Sequence, residues 1–205
     1  MKDHFIGYLV YPFVAIPHFL TQLLGFLIAI VPAAIAFFSK GPKHFKRYSN
    51  IFKFCEGLPF GKTVFSSLIG FAAPYSASIS AHVEEFTDYS VTVSMMDRPW
   101  LRNPFSSIHA IALANLGELC SGLATMSMLQ TLKGVKGIPI RVDCSYKKKS
   151  RGKITCKCSF KEQTLEQLKK LDDTMELKVD AEMRDKHDDL VATCAVTWSF
   201  KRKKA

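Results

Sequence analysis

The stretch NPFSSIHAIALANLGELCSGLATMSMLQTL, residues 103–132, decides how the rest of the chain is read. Its apolar residues recur at helical spacing and almost all round the cylinder, as in a helix covered on most faces. Two glycines within 133–137 end it. Such a helix needs a layer to cover it, and the flanking sequence supplies one. Upstream, Ala77, Ile79, Ala81 and Val83 alternate with Ser78, Ser80 and His82. After 84–88 the pattern resumes with Tyr89, Val91, Val93 and Met95, which reads as a hairpin. Downstream, four segments alternate in turn: 138–146, 154–160, 175–183 and 190–200. Four such segments predict an antiparallel sheet with one face on a core, and the helix is the element available to fill that face. Residues 58–73 read as a short helix packing on the domain, and 161–171 as a short surface helix or turn. The fold class is therefore α+β.

A chain of 205 residues leaves room for one ordinary domain once its first forty or so residues are set aside. From 5 to 38 there is no Lys, Arg, Asp or Glu, and about 20 such residues suffice to cross a bilayer. The stretch is too long for the apolar region of a cleaved signal peptide. Pro12, Pro17 and Pro32 interrupt it, so two topologies remain open: a tilted single transmembrane span, or a membrane-embedded hairpin of half-helices. The organisation expected is a membrane anchor at 1–40, a basic juxtamembrane linker at 41–57, the folded domain at 58–200 and a basic tail at 201–205.

The net charge is +10, and its placement matters more than its size. The basic residues cluster at 40–53, at 147–153 and at 201–204. The first cluster follows the apolar segment directly, which predicts that the folded domain faces the cytosol, and it suits anionic headgroups. Nucleic-acid binding is not expected, because no face interleaves aromatic and basic residues. The tail places lysines three and five positions from the end, the spacing of a dilysine retrieval signal. This favours the endoplasmic reticulum, with a mitochondrial membrane as the alternative. The six cysteines form no C-x-x-C pair and lack zinc-finger spacing with histidine. They read as buried small hydrophobes in a reducing compartment, and no metal or other cofactor is expected.

Between Arg102 and Lys133 the only acidic or basic side chains are His109 and Glu118. A carboxylate halfway along an apolar helix is costly unless it is paired, protonated or used. Glu118 is thus either a general base or nucleophile with a tuned pKa, or a structural carboxylate bonded to Asn115 or to a partner subunit. Ser106 or Ser107 would serve as N-cap. The helix N-terminus beyond them suits a developing oxyanion.

This order of elements resembles the hotdog fold, in which an antiparallel sheet wraps one long central helix. The spacing Asn103, then His109 six positions on, then Glu118 nine beyond, is similar to that of the hotdog acyl-CoA thioesterase superfamily. The phenylacetyl-CoA and thioesterase-superfamily proteins belong to that group, and the likeness here is to a membrane-anchored branch. That family commonly has glycine between the Asn and the His and directly after the His, where this chain has Ser106 and Ala110. A polar residue usual at the start of the next strand is Pro139 here.

The resemblance implies a membrane-associated acyl-CoA thioesterase. Glu118 would activate water or attack the thioester, and the backbone N–H near His109 and Ala110 would polarise its carbonyl. Asn103, Ser106 and His109 would bind substrate, Lys147, Lys148, Lys149 and Arg151 would meet the phosphates of coenzyme A, and the site would lie in a homodimer. The same basic residues also read as a solvated hairpin turn. The departures from glycine leave open a non-catalytic acyl-CoA or lipid-binding scaffold.

Overall fold

The computed structural model describes residues 47–202. The expected anchor at 1–40 and the last three residues of the tail lie outside that range. Among the described residues no helix is long and apolar enough to cross a membrane.

The elements run α1 (Tyr48–Glu56), α2 (Gly61–Ala72), α3 (Pro74–Ala77), β1 (His82–Phe86), β2 (Ser90–Met96), a 3-10 turn (Pro99–Leu101) and α4 (Ala110–Leu129). They continue with β3 (Val135–Tyr146), β4 (Lys153–Ser159), α5 (Glu162–Lys169), β5 (Thr174–Arg184) and β6 (Leu190–Arg202). One six-stranded sheet has the order β1-β2-β4-β5-β6-β3, and every pairing is antiparallel. The helix α4 packs against β2, β3, β4, β5 and β6. Its Leu116, Cys120, Ala124 and Met128 meet Val93 and Met95 of β2, Ile154 and Cys156 of β4, Met183 of β5, and Val196 and Phe200 of β6 in one core. At Gly117 the helix lies close on the sheet: a Cβ there would stand 2.4 Å from Cβ of Cys194. A sheet wrapped on one central helix is the hotdog arrangement.

Several expectations are corrected. Residues 77–81 are not a strand, because Pro74 opens the short helix α3 and Ser80 turns the chain at φ 49°; β1 begins at His82. The central helix starts at Ala110, and its N-cap is His109, whose Nδ1 accepts the amide of Ile111, rather than Ser106 or Ser107. The supposed linker at 41–57 contains α1. Ser49, Phe52 and Cys55, three residues apart, turn one face of it inward, where Phe52 meets Phe65 with ring centroids 5.2 Å apart. Tyr48 N also donates to Oε1 of Gln130 at 2.8 Å, which ties α1 to the far end of α4. The basic tail is likewise shorter than expected, for Arg202 belongs to β6 and its guanidinium donates to the carbonyls of Lys133, Leu168, Lys169 and Leu171. Finally, the apolar side chains of Ile138, Ile140, Val142 and Tyr146 do not reach the core. They are exposed, and a register shift between Pro139 and Arg141 breaks the alternation, setting Ile138 opposite Ser199 but Val142 opposite Val196.

Candidate functional site

The helix α4 is not covered all round. Ile111, Asn115, Glu118, Gly122 and Met126 recur at spacings of three and four, and all five are partly or fully exposed. This open stripe carries Glu118. Its carboxylate has no hydrogen bond or ion pair among the described residues, so the bond to Asn115 that would have made it structural is absent. Burial of its surroundings pushes the Glu118 carboxyl above the ordinary carboxylate range.

Gly122 lies one turn beyond. The point where its Cβ would stand is 3.9 Å from Oε1 of Glu118 and 4.0 Å from Cζ2 of Trp198. The indole N–H of Trp198 and the hydroxyl of Thr125, which follows Glu118 by two turns on the same face, are buried without a hydrogen-bond partner. Buried polar groups are nearly always paired, so an acidic side chain and an orphaned hydroxyl on α4, with an orphaned indole on β6, mark a place for a polar ligand or water. Sequence gave no hint of Trp198 or Thr125, because nothing local distinguishes an orphaned indole from a core one.

The start of α4 is built by the loop 103–109. Oδ1 of Asn103 accepts from the amides of Phe105 and Ser107 and from the Ser107 hydroxyl, so it is fully engaged in shaping the loop. Ser106 sits at φ 56°, the left-handed region that favours glycine. Its carbonyl accepts from Nε of Arg151 at 3.0 Å. The amide of His109 is taken by the carbonyl of Leu101 at 2.7 Å. With Nδ1 of His109 accepting from Ile111 at 3.1 Å, the neutral ring carries its proton on Nε2, which can donate outward. The amide of Ala110 has no backbone acceptor among the described residues, and the hydroxyl of Tyr146 holds this residue by its carbonyl at 3.0 Å. Of the two amides expected to polarise a carbonyl, only that of Ala110 is free.

The basic turn is less available than its charge suggests. Lys148 bridges Asp185 and Asp189 at 2.7 and 2.6 Å, and Arg151 is bound to the loop. Lys149 lies 5.8 Å from the centre of the Phe105 ring, and among the described residues Lys147 and Lys149 have no acidic partner. Burial raises the thiol pKa values of Cys55, Cys158 and Cys194, so these are neutral packing groups, not nucleophiles. Among the described residues no three of His, Cys, Asp and Glu are grouped to hold a metal ion.

A mixed α+β unit with a six-stranded antiparallel sheet around one helix is what the thioesterase-like hotdog proteins share. Residues 61–200 match the family described as domain of unknown function DUF4442, and the chain belongs to that family. Among solved structures, the genomics protein APC5556 is similar at 24% identity with a TM-score of 0.61, over 76% of this chain and 99% of its own. A Pseudomonas aeruginosa protein described as a probable thioesterase matches at 18% identity and TM-score 0.61, over 71% of this chain and 97% of its own. A thioesterase from Staphylococcus aureus matches at 16% identity and TM-score 0.51, over 62% of this chain and 98% of its own. These likenesses establish the fold. No curated protein sequence matches.

Proposed function

We propose that this protein is a membrane-associated acyl-CoA thioesterase in which Glu118 is the general base or nucleophile. The observation that carries the reading is the unpaired carboxylate of Glu118 on the open stripe of α4, its pKa raised by burial. A carboxyl group so placed is poised nearer neutral pH, where a base is most effective. The free amide of Ala110 at the positive end of α4 suits the oxyanion that forms when a thioester carbonyl is attacked. Nε2 of His109 faces the same end and would line the thioester.

The two groups argue for a homodimer. Glu118 stands eight positions after Ala110, about 12 Å of axial rise at 1.5 Å per residue, and the amide points along the axis away from Glu118. One carbonyl therefore meets Ala110 of one copy and Glu118 of a second copy with its helix reversed. The exposed apolar residues of β3 beside the open stripe give such a partner a surface to cover. Of the basic turn, Lys147 and Lys149 remain for coenzyme A phosphates. The uncharged segment 5–38 would hold the domain at a membrane, on the cytosolic side of the endoplasmic reticulum or, alternatively, of a mitochondrial membrane.

A mixed-subunit experiment tests the reading. Ala110→Pro removes the amide at a position where proline suits a helix start, and the extended backbone of His109 (φ −63°, ψ 138°) tolerates it. Each of Ala110→Pro and Glu118→Gln alone should be inactive. Co-expressed, they should regain roughly a quarter of the wild-type rate through one intact site in half of the dimers. No recovery would contradict a shared site. A non-catalytic acyl-binding protein is the second reading. It is favoured by the engagement of Asn103 and of the His109 amide in the loop itself, and it predicts acyl-CoA binding without turnover.

A further inference from the structure

A cleft of about 460 Å³ opens between α2 and the β1–β2 hairpin and includes Thr63, Ser67, His82, Glu84, Arg98 and Lys153 in its lining. That volume is in the range of small-molecule sites. No residue of α4 lines it, and the proposed hydrolysis does not use it.

Its charges do not cancel. Lys153 and Glu84 pair at 2.6 Å, and Ser94 donates to the same carboxylate oxygen at 2.6 Å. Burial pushes the Glu84 carboxyl up, but the Lys153 and Ser94 hydrogen bonds outweigh it, so this group stays ionised and neutralises Lys153. Arg98 is left over. Its guanidinium lies 5.4 Å from the centre of the Trp100 ring, and it has no carboxylate or hydrogen-bond acceptor among the described residues. It is also desolvated enough for burial to lower its pKa. A stacked, partly desolvated guanidinium offers its donor fork to whatever anion enters. His82 faces the cleft as well, its Nδ1 3.4 Å from the hydroxyl of Ser66.

The wall supplied by α2 adds neutral donors. Thr63 and Ser67 stand one turn apart on one face, and the same face continues to Phe60 and Phe71, which are 83% and 74% exposed. An Arg fork and two hydroxyls suit a tetrahedral oxyanion with several acceptor oxygens better than a planar carboxylate.

We propose that Arg98, Thr63 and Ser67 bind a phosphate group in this cleft, borne either by a soluble phosphate or by a lipid headgroup. The flanking Phe60 would lie against the apolar part of a lipid. This site is independent of thioester hydrolysis.

The test uses the full chain in phosphatidylcholine nanodiscs, with phosphorus NMR as readout. One arm titrates pyrophosphate into the buffer at constant ionic strength, and the other dopes the discs with phosphatidic acid. Protein-dependent broadening of either resonance is expected, weakened about tenfold or more by Arg98→Gln and by Ser67→Asp, which places a negative charge in the cleft. Ser67→Asp keeps the test decisive should Arg98→Gln fold poorly. Broadening of pyrophosphate assigns the site to soluble phosphates, and broadening of phosphatidic acid alone assigns it to a lipid headgroup. No broadening in either arm, or broadening unchanged in both variants, overturns the proposal.

Discussion

The hydroxyl of Tyr146, the last residue of β3, donates to the carbonyl of Ala110, the first residue of α4, at 3.0 Å. This bond joins the edge strand to the helix end whose free amide faces outward. Tyr146→Phe removes one hydrogen bond and should cost about 0.5–1.5 kcal/mol in denaturant unfolding. If Ala110 forms the oxyanion contact, kcat should fall several-fold while circular dichroism stays unchanged. An unaltered kcat would separate the helix end from the chemistry.

Ser106 holds φ 56° in a loop where the resembled thioesterases commonly have glycine. A left-handed backbone costs a non-glycine residue roughly 1–2 kcal/mol. Here that conformation is fixed by the Ser106 amide on the carbonyl of Asn103 at 3.0 Å and by Arg151 on the Ser106 carbonyl. Ser106→Gly should therefore raise the melting temperature without lowering activity. A lower melting temperature would mean that the serine side chain stabilises the loop in some other way.

Two glycines of α4 make opposite predictions. At Gly117 a methyl group would meet Cβ of Cys194 at 2.4 Å and Cε of Met183 at 2.6 Å. Gly117→Ala should cost about 1–3 kcal/mol or more by overpacking. At Gly122 the nearest atoms are 3.9 and 4.0 Å away, an ordinary contact. Gly122→Ala should be neutral or gain up to about 1 kcal/mol from helix propensity. Chemical denaturation of both variants decides the pair.

Burial raises the folded-state pKa of Glu118, so the folded chain holds this proton more tightly than the unfolded chain does. Stability should fall as pH rises from the unfolded carboxylate value, about 4.3, through the raised folded value, and stay lower above it. Glu118→Gln has no proton to lose, so its advantage in melting temperature should grow over that window. The acid limb of kcat/KM in the wild type should also lie above the ordinary carboxylate range. An advantage independent of pH would remove the case for a tuned Glu118.

Much of the fold was legible because burial periodicity is a local signal. The alternation of Ile154, Cys156 and Cys158, and of Cys194, Val196 and Trp198, predicts strands whose apolar sides are indeed buried. The same alternation at Ile138, Ile140 and Val142 predicts a strand correctly but not its burial. Alternation marks an apolar face without saying whether this chain covers it, and the register shift between Pro139 and Arg141 puts Ile138 and Val142 on opposite faces of β3. Residues 48–56 were obscured by the basic residues that precede them, although the helix itself carries only Lys53 and its inner face holds Phe52 and Cys55. Within the candidate site, Glu118 could be picked out because a carboxylate in an apolar helix stands out in sequence. The engagement of Lys148 and Arg151, and the orphaned groups of Thr125 and Trp198, depend on residues distant along the chain.

The most direct test of the account is the initial rate of acyl-CoA hydrolysis, across acyl-chain lengths, by the full-length protein and by Glu118→Gln with its fold verified. Hydrolysis by the wild type that falls about 10²- to 10⁴-fold in the variant is the predicted result. Equal rates in both proteins, or no hydrolysis by the wild type at any chain length, would contradict it.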